Sequence, residues 1–365
     1  MKDIYKFLEI KNYLIIKRKE MVICNKQFFP KLFNKKFGGK VNTEILFLQT
    51  FGILLVVLGH SGEDIPYLSK WIYSFHMPLF MFISGYLLSL TNNQKINQIE
   101  MKTFIIKKVK RLLIPYFVIS SLAYLPKYIL GKFAVRPVEL NLETYLKGFL
   151  YPWDNPIIFF WFLPTLFIIM LSTIILMKIY NKKIWLLLVF SFFISLLSNK
   201  YVKIEFLNIS GVLNYLFFFI LGIYYNVSEK SFQRILESNI TLVITLVILL
   251  LNCGNNQFSS VDIFHKMISV IGIIFSICLS KKYNKNKMKF LNHLNGKSYS
   301  IYLLSWFPQV FVRILGFQIL KLTWVIVLPI SFFMGTYIPY FINLIGKKII
   351  EKNSKFRFLK FLLGI

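Results

Sequence analysis

The sequence predicts an all-α, polytopic membrane protein, a bundle of about ten transmembrane helices. Of the 365 residues, 56% are hydrophobic and only 16% are charged, and the mean hydropathy is +0.60. The apolar residues form continuous runs, most of them near the roughly 20 residues that a spanning helix needs. Because these runs do not alternate with polar residues, and because unpaired backbone groups are costly in lipid, helices are favoured over a barrel.

The predicted spans follow one another with few long connections. They lie near residues 44–60, 70–90, 111–131, 157–177, 184–199, 210–226, 239–252, 264–280, 298–319 and 323–346. The fifth and seventh are shorter than the others. The only substantial soluble connections are 91–110, 132–156 and 281–297. We therefore predict one membrane domain, residues 44–346, between a basic N-terminal tail at 1–43 and a basic C-terminal tail at 347–365, without a separate catalytic domain.

The distribution of positive charge orients this bundle. The formal net charge is +29, and 34 of the 44 Lys and Arg residues lie in the tails and in alternate connections. This asymmetry is the positive-inside pattern, and it predicts that both termini are cytoplasmic in a multi-pass protein of the cell membrane. A basic inner face suits anionic lipid headgroups, so membrane lipid rather than nucleic acid is the expected partner.

Residues 1–43 are not expected to form a cleavable signal peptide, because lysines interrupt each apolar run. Their apolar residues recur at helical spacing, which favours either a helix on the inner membrane surface or a disordered basic tail. The chain has three cysteines, Cys24, Cys253 and Cys278. No two of them are evidently positioned for a disulfide, so we expect free thiols.

Two histidines, His60 and His76, flank the loop between the first two predicted spans. With the N-terminus inside, both lie at outer helix ends and could meet across one cavity. Ionisable groups at such positions are candidates for a functional site. Glu63 and Asp64 in the loop could orient or stabilise an imidazole, although a structural hydrogen bond to a backbone carbonyl is an open alternative for His76.

Polar residues within the spans are few. All 15 acidic residues lie in loops, tails or helix margins, which argues against a proton- or cation-coupled carrier. Gln49 is the deepest polar residue of the first span and shares a helix face with His60, roughly 16 Å away along the axis. No metal site is predicted, since the histidines lack further ligands at suitable spacing.

Several motifs together resemble the acyltransferase 3 family of integral membrane acyltransferases, in particular its branch similar to fucose O-acetylases. In chain order they are FGILLVVLGH (51–60), SFHMPLFMFISGYLL (74–88), KKVKRLLIPY (107–116), WFLPTLF (161–167), FFFILGI (217–223) and LNGKSYSIYLLSW (294–306). The resemblance covers most of the chain, and its specificity comes from the order and spacing of the motifs.

The resemblance implies a ten-helix enzyme that takes an acyl group, usually acetyl, from cytoplasmic acyl-CoA and passes it to a sugar hydroxyl of a surface glycan or lipid-linked precursor. Acetyl-CoA or another acyl-CoA is then the donor substrate, and no bound cofactor is expected. His60 falls on the family's catalytic histidine, as general base toward the hydroxyl or as transient acyl carrier.

The remaining candidate residues are those that would bind the two substrates, acyl-CoA and the acceptor sugar. The candidates for binding the phosphates of coenzyme A are Lys107, Lys108, Lys110 and Arg111. The alternative explanation of this basic block is positive-inside anchoring at the membrane. For the acceptor sugar the candidates are Trp153, Asp154 and Trp161, for which an aromatic belt is the alternative. Two positions depart from the family pattern: Gln49 replaces a basic residue, and Ser305 replaces a histidine.

Two functions of other classes stay open at this point. One is a flippase or exporter for a glycan or lipid-linked sugar, and the other is a non-catalytic component of a polysaccharide synthesis complex.

Overall fold

A computed structural model describes residues 43–62, 65–92, 96–133, 137–139, 141–179, 183–254, 262–283 and 289–365. The chain divides into Met1–Thr43 and Glu44–Ile365, and the description concerns the second unit. The predicted tail helix and Cys24 lie outside the described residues. Within these ranges every regular element is helical, and Cys253 and Cys278 are free thiols, as predicted.

The described residues form twelve helices of seven or more residues. They are α1 (Thr43–Gly59), α2 (Pro66–Thr91), α3 (Met101–Ile129), α4 (Leu142–Leu150), α5 (Phe162–Ile179), α6 (Ile184–Tyr201), α7 (Ile209–Glu237), α8 (Asn239–Gly254), α9 (Asp262–Lys282), α10 (Ser298–Leu304), α11 (Trp306–Arg313) and α12 (Trp324–Lys352). Four-residue helices occur at Lys289–Asn292 and Leu359–Leu362.

The described helices agree with a polytopic membrane protein. Seven are long and apolar enough to cross a membrane, and α10 with Trp306–Ile319 makes an eighth if this pair, bent by 47°, is one span. The apolar helices α1 and α8 are shorter, with 17 and 16 residues. Helix α6 was expected to be short, but its 18 residues reach a spanning length. The count of ten spans and the cytoplasmic termini stay predictions.

Helix α3 begins at Met101, well before the predicted start near residue 111. It continues through a π-helical turn, Val109–Leu113, into the apolar stretch that the sequence predicted. The predicted connection 132–156 likewise contains α4, whose first turn is capped by the Asn141 side chain, which accepts a hydrogen bond from the Thr144 amide. Hydropathy alone missed these amphipathic helical stretches because lysines lower their mean.

Helices α2 and α7 form the most extensive helix pair, and glycines set their separation. A Cβ atom on Gly85 would lie 1.9 Å from the Phe219 carbonyl oxygen, and one on Gly222 would lie 2.0 Å from the Phe82 carbonyl oxygen. Only glycine allows the two backbones to approach so closely. This contact holds α2, which carries His76, against the centre of the bundle.

Helix α2 contains an internal proline whose effect is compensated by a neighbouring helix. Pro78 has no amide hydrogen, so the carbonyl of Ser74, four residues earlier, loses its helical donor. The Ser269 hydroxyl of α9 donates to that carbonyl at 2.7 Å. A backbone acceptor that would be unsatisfied in lipid is therefore paired, and α9 is held against α2 near Ser74.

Candidate functional site

The first feature of the candidate site is the way α1 ends. The last carbonyls of a helix have no partner within it. The Ser61 hydroxyl donates to the Val57 carbonyl at 2.5 Å, and the Gln309 amide donates to the same carbonyl at 2.7 Å and to the Ser61 oxygen at 3.0 Å. Gln309 is buried on α11. The segment that carries His60 is therefore fastened to α11.

Tyr73 of α2 joins the two histidines. Its hydroxyl donates to the Gly59 carbonyl at 2.8 Å, next to His60 in the chain. The centroid of the Tyr73 ring lies 6.2 Å from that of His60 and 5.1 Å from that of His76. The two histidines therefore flank one tyrosine, but they do not meet across one cavity as the sequence predicted, because His76 is buried within α2 and does not line the pocket of His60.

His76 occupies a structural position. Its side chain is buried, and Nδ1 lies 2.9 Å from the Ile72 carbonyl oxygen one turn earlier. Because a carbonyl only accepts, Nδ1 carries the hydrogen and donates. This is the hydrogen bond of the structural alternative, and His76 does not line the pocket described next.

His60 lies in the loop beyond α1 and lines an open pocket of about 670 Å³. Its ring centroid is 5.0 Å from that of Phe159, which forms one side of its surroundings. Within the described ranges, the ring makes no hydrogen bond. The lining residues are Gly59, His60, Gly62, Pro66, Ser69, Lys70, Tyr73 and Arg313.

The surroundings of His60 keep its ring neutral. Burial lowers the pKa of His60 first, and the positive charge of Arg313 adds to this, giving a value of about 4. Near neutral pH the imidazole is therefore in the form that can accept a proton or act as a nucleophile. Glu63 and Asp64, the predicted orienting carboxylates, lie outside the described residues.

The predicted sugar-binding aromatics form a stack of their own. Trp153 and Trp161 are parallel at 5.0 Å, and Tyr215 stacks on Trp161 at 5.3 Å. The Trp153 indole donates to Asn208 at 3.1 Å. Trp161 is buried and Trp153 is partly exposed. Neither lines the His60 pocket, although Trp161 follows Phe159 closely in the chain.

Asp154, the polar member of this predicted group, faces a lysine. Its carboxylate lies 3.6 Å from Lys147 Nζ of α4, and both side chains are exposed. Such an exposed pair contributes little to stability.

Gln49 and Ser305 lie in different surroundings. Gln49 is half-buried on α1, beside Thr50, whose hydroxyl donates to Asn295 at 2.8 Å. Ser305 is fully buried at the bend between α10 and α11, and its hydroxyl has no hydrogen-bond partner in the part of the chain that is described. Neither residue lines the His60 pocket.

The predicted coenzyme A block lies within α3, around its π-helical turn. Lys108 Nζ lies 5.2 Å from the centre of the Phe104 ring, and the Arg111 guanidinium lies 5.4 Å from that of Tyr299. The Tyr299 hydroxyl donates to the Arg111 carbonyl. The block is therefore anchored to the start of α10, while Lys107 and Lys110 are exposed.

An ion cluster at the other end of α1 was not predicted. Lys281 Nζ of α9 lies 2.8 Å from the Glu44 carboxylate and 3.1 Å from that of Glu229 on α7. The Tyr86 hydroxyl of α2 donates to Glu229 at 3.0 Å. Three helices meet here through paired charges, and α2 joins them through the Tyr86 hydroxyl.

Sequence reasoning also missed Arg313, Lys266 and Gln309. Lys266 is buried on α9, where it donates to the Asn214 side chain and lies 5.9 Å from the centre of the Phe218 ring. Both basic residues could have been singled out, because a lone cation in an apolar helix is a functional candidate. Nothing in the local sequence indicates that Gln309 fastens α1. Among the described residues, no three His, Cys, Asp or Glu side chains group to hold a metal ion.

The comparison with known families bears on this geometry. The model of the acyltransferase 3 family, described as an acyltransferase domain, matches residues 42–344, which is most of the chain. This match agrees with the resemblance of the sequence motifs and includes α1, the His60 pocket and α11. Among curated proteins and among solved structures, none matches the chain. The helical membrane chain with His60 in its pocket belongs to the acyltransferase 3 family.

Proposed function

We propose that this membrane acyltransferase moves an acyl group, with acetyl as the first candidate, from cytoplasmic acyl-CoA to a sugar hydroxyl of a cell-surface or lipid-linked glycan. The observation that carries the proposal is the position of His60. A neutral imidazole without a hydrogen bond to any described residue lines an open pocket of about 670 Å³, which is within the usual size range of small-molecule sites.

In the proposed reaction, His60 takes the proton of the acceptor hydroxyl. The alcohol oxygen attacks the thioester carbonyl, the new C–O bond forms, and the C–S bond breaks. The thiolate of coenzyme A then leaves and receives the proton. As an acyl carrier, His60 would instead hold the acyl group on its ring before passing it to the same hydroxyl.

The donor would approach from the basic end of the bundle. Arg111, Lys108 and the exposed Lys107 and Lys110 offer charge-assisted hydrogen bonds to phosphates. The contact of Arg111 with Tyr299 ties this block to α10, which continues through the bend at Ser305 toward α11. The half-buried Gln49 on α1 offers a neutral donor where relatives of the resembled family carry a cation.

The principal test compares surface glycans from cells that contain the wild-type protein, His60→Ala, or neither. The expected result is a mass increment equal to one acyl group per modified residue with the wild type, and its loss with His60→Ala at equal membrane abundance. The size of the increment identifies the acyl group. Unchanged acylation with His60→Ala would contradict the proposal.

A second measurement distinguishes the proposed acyltransferase from an exporter and from a non-catalytic scaffold. Transfer of radiolabel from [acetyl-¹⁴C]acetyl-CoA to extracted cell glycans is expected with the purified full chain. A transporter would instead move glycan into vesicles without an acyl donor, and a scaffold would do neither.

The orientation of the pocket has its own test. Ser69 lines the pocket and is partly exposed, so a cysteine there should be reactive. In intact cells carrying Ser69→Cys and no other cysteine, a membrane-impermeant maleimide is expected to label the protein from outside. Labelling only from the cytoplasmic side would overturn the proposed approach of the acceptor.

A further inference from the structure

Arg313 is the last residue of α11 and lines the His60 pocket. It stands in the apolar stretch VFVRILGF, and a π-helical turn, Ile314–Ile319, follows it directly. Its Nε atom is buried and has no hydrogen-bond partner among the described residues. In the described ranges no carboxylate lies within ion-pair distance of it. A half-buried arginine whose buried Nε has no partner, and whose charge no described carboxylate neutralises, is costly in an apolar helix, so a role toward a ligand is indicated.

The position of Arg313 relates this cation to the candidate catalytic group. It lines the same pocket as His60 and Tyr73, and its charge acts on the His60 ring. A cation in the wall of a pocket, beside a neutral imidazole, concentrates anions there. An acceptor drawn into this pocket would therefore carry a negative charge.

The chemistry of the guanidinium narrows the class of anion. Its planar fork matches the oxygens of a carboxylate or a phosphate and binds them through paired hydrogen bonds. The buried Nε is one of the donors that such a pair requires. Lysine has the charge but lacks this geometry.

We propose that Arg313 is the anion-binding residue of the acceptor site, and that the acceptor is a sugar or polyol with a carboxylate or phosphate close to the hydroxyl that is acylated. This rests on the proposed function and deepens it by naming the substrate class. Arg313 would hold the anion so that the neighbouring hydroxyl reaches His60, whose role in the proton transfer is unchanged.

The test measures binding without requiring acyl transfer. Diethyl pyrocarbonate modifies neutral imidazoles, so the rate of His60 modification in the purified full chain, followed by peptide mass analysis, reports access to the pocket. The probes are methyl glucuronide and glycerol phosphate, with methyl glucoside and glycerol as uncharged counterparts. The charged probes are expected to protect His60 at concentrations about tenfold or more below the uncharged ones.

Two variants and one control assign this preference to Arg313. Arg313→Gln is expected to remove the difference between charged and uncharged probes, and Arg313→Lys to retain a part of it. The matched control is Lys321→Gln, which removes the same charge from an exposed residue outside the pocket lining and should protect like the wild type. If Arg313→Gln fails to fold, Arg313→Lys and the wild-type probe comparison still decide the outcome.

Equal protection by charged and uncharged probes, or an unchanged preference in Arg313→Gln, would overturn the inference. Protection by phosphatidylglycerol nanodiscs without added probe, absent in phosphatidylcholine nanodiscs, would also overturn it, because a lipid headgroup would then occupy the site. If the protein transfers no acyl group but charged probes still protect His60 better than uncharged ones, the result would count against the proposed function and not against this inference.

Discussion

The two ends of α1 differ in how their polar groups are satisfied. At its beginning, Glu44 pairs with Lys281, which also binds Glu229. At its other end, His60 and Arg313 line an open pocket. Neither the ring nitrogens of His60 nor the Nε atom of Arg313 forms a hydrogen bond with any described residue. The distance between the two ends is about 24 Å at 1.5 Å per residue.

The difference separates groups that hold the bundle together from groups available to a ligand. Removal of one member of a group of paired charges leaves the others uncompensated, which destabilises the fold. Removal of a group that lacks an internal partner costs the fold little stability, but it deprives the ligand of a contact. The first end should therefore respond to substitution in its stability, and the second in its chemistry.

The largest expected effect is that of His60→Gln on transfer. Without the imidazole, proton abstraction or acyl carriage is lost, and the rate should fall by about 10²- to 10⁴-fold. The measurement is radiolabel transfer from acetyl-CoA to extracted glycans by the purified variant. Its melting temperature in detergent should stay close to that of the wild type.

The matched control is His265→Gln, which removes an exposed imidazole on α9. It should leave the transfer rate unchanged. A large drop in the melting temperature of His60→Gln would break the contrast between the two ends of α1.

Lys281→Met is expected to act in the opposite way. It leaves the Glu44 and Glu229 carboxylates facing each other, and the cost should be about 2 kcal/mol of unfolding free energy, reduced because both carboxylates are partly exposed. The decrease is measured by denaturant titration in detergent. The affinity for the acyl acceptor should change little, and a selective loss of acceptor affinity would contradict the division between the two ends.

The sequence could predict the bundle and the position of His60, because both depend on local patterns. Long apolar runs predict helices, and a histidine at a helix end predicts a site. The partners of these groups depend on contacts between distant segments. Lys281 meets Glu44 across the bundle, Gln309 fastens α1 from α11, and Arg313 approaches His60 from a helix that is remote in the chain.

A smaller effect is expected in the pH dependence of Arg313→Gln. Burial and the Arg313 charge both lower the pKa of His60, in that order, to about 4. A base loses activity as the pH falls through its pKa. Without the cation the pKa rises toward 6.5, so the acidic limb of the pH–rate profile should move to higher pH, by up to about one unit.

Among the described residues, the other charged or titratable groups in or beside the pocket are Tyr73, Lys70 and His76, and none is altered by the substitution. Lys321→Gln serves as the control with an unchanged profile. An acidic limb that stays at the same pH would mean that the charge of Arg313 does not influence the His60 ring.

The smallest effect is predicted for Tyr73→Phe. The phenol hydroxyl donates to the Gly59 carbonyl at 2.8 Å and so holds the backbone next to His60, while the ring contacts both histidines. Phenylalanine keeps the ring and loses the hydrogen bond, at a cost of about 1 kcal/mol or less. Because Tyr73 positions His60 without taking part in the reaction, kcat should fall a few-fold while the acidic limb keeps its pH. A loss as large as that of His60→Gln would instead make the tyrosine a member of the reacting groups, and the His60 end of α1 would then hold a pair of catalytic residues.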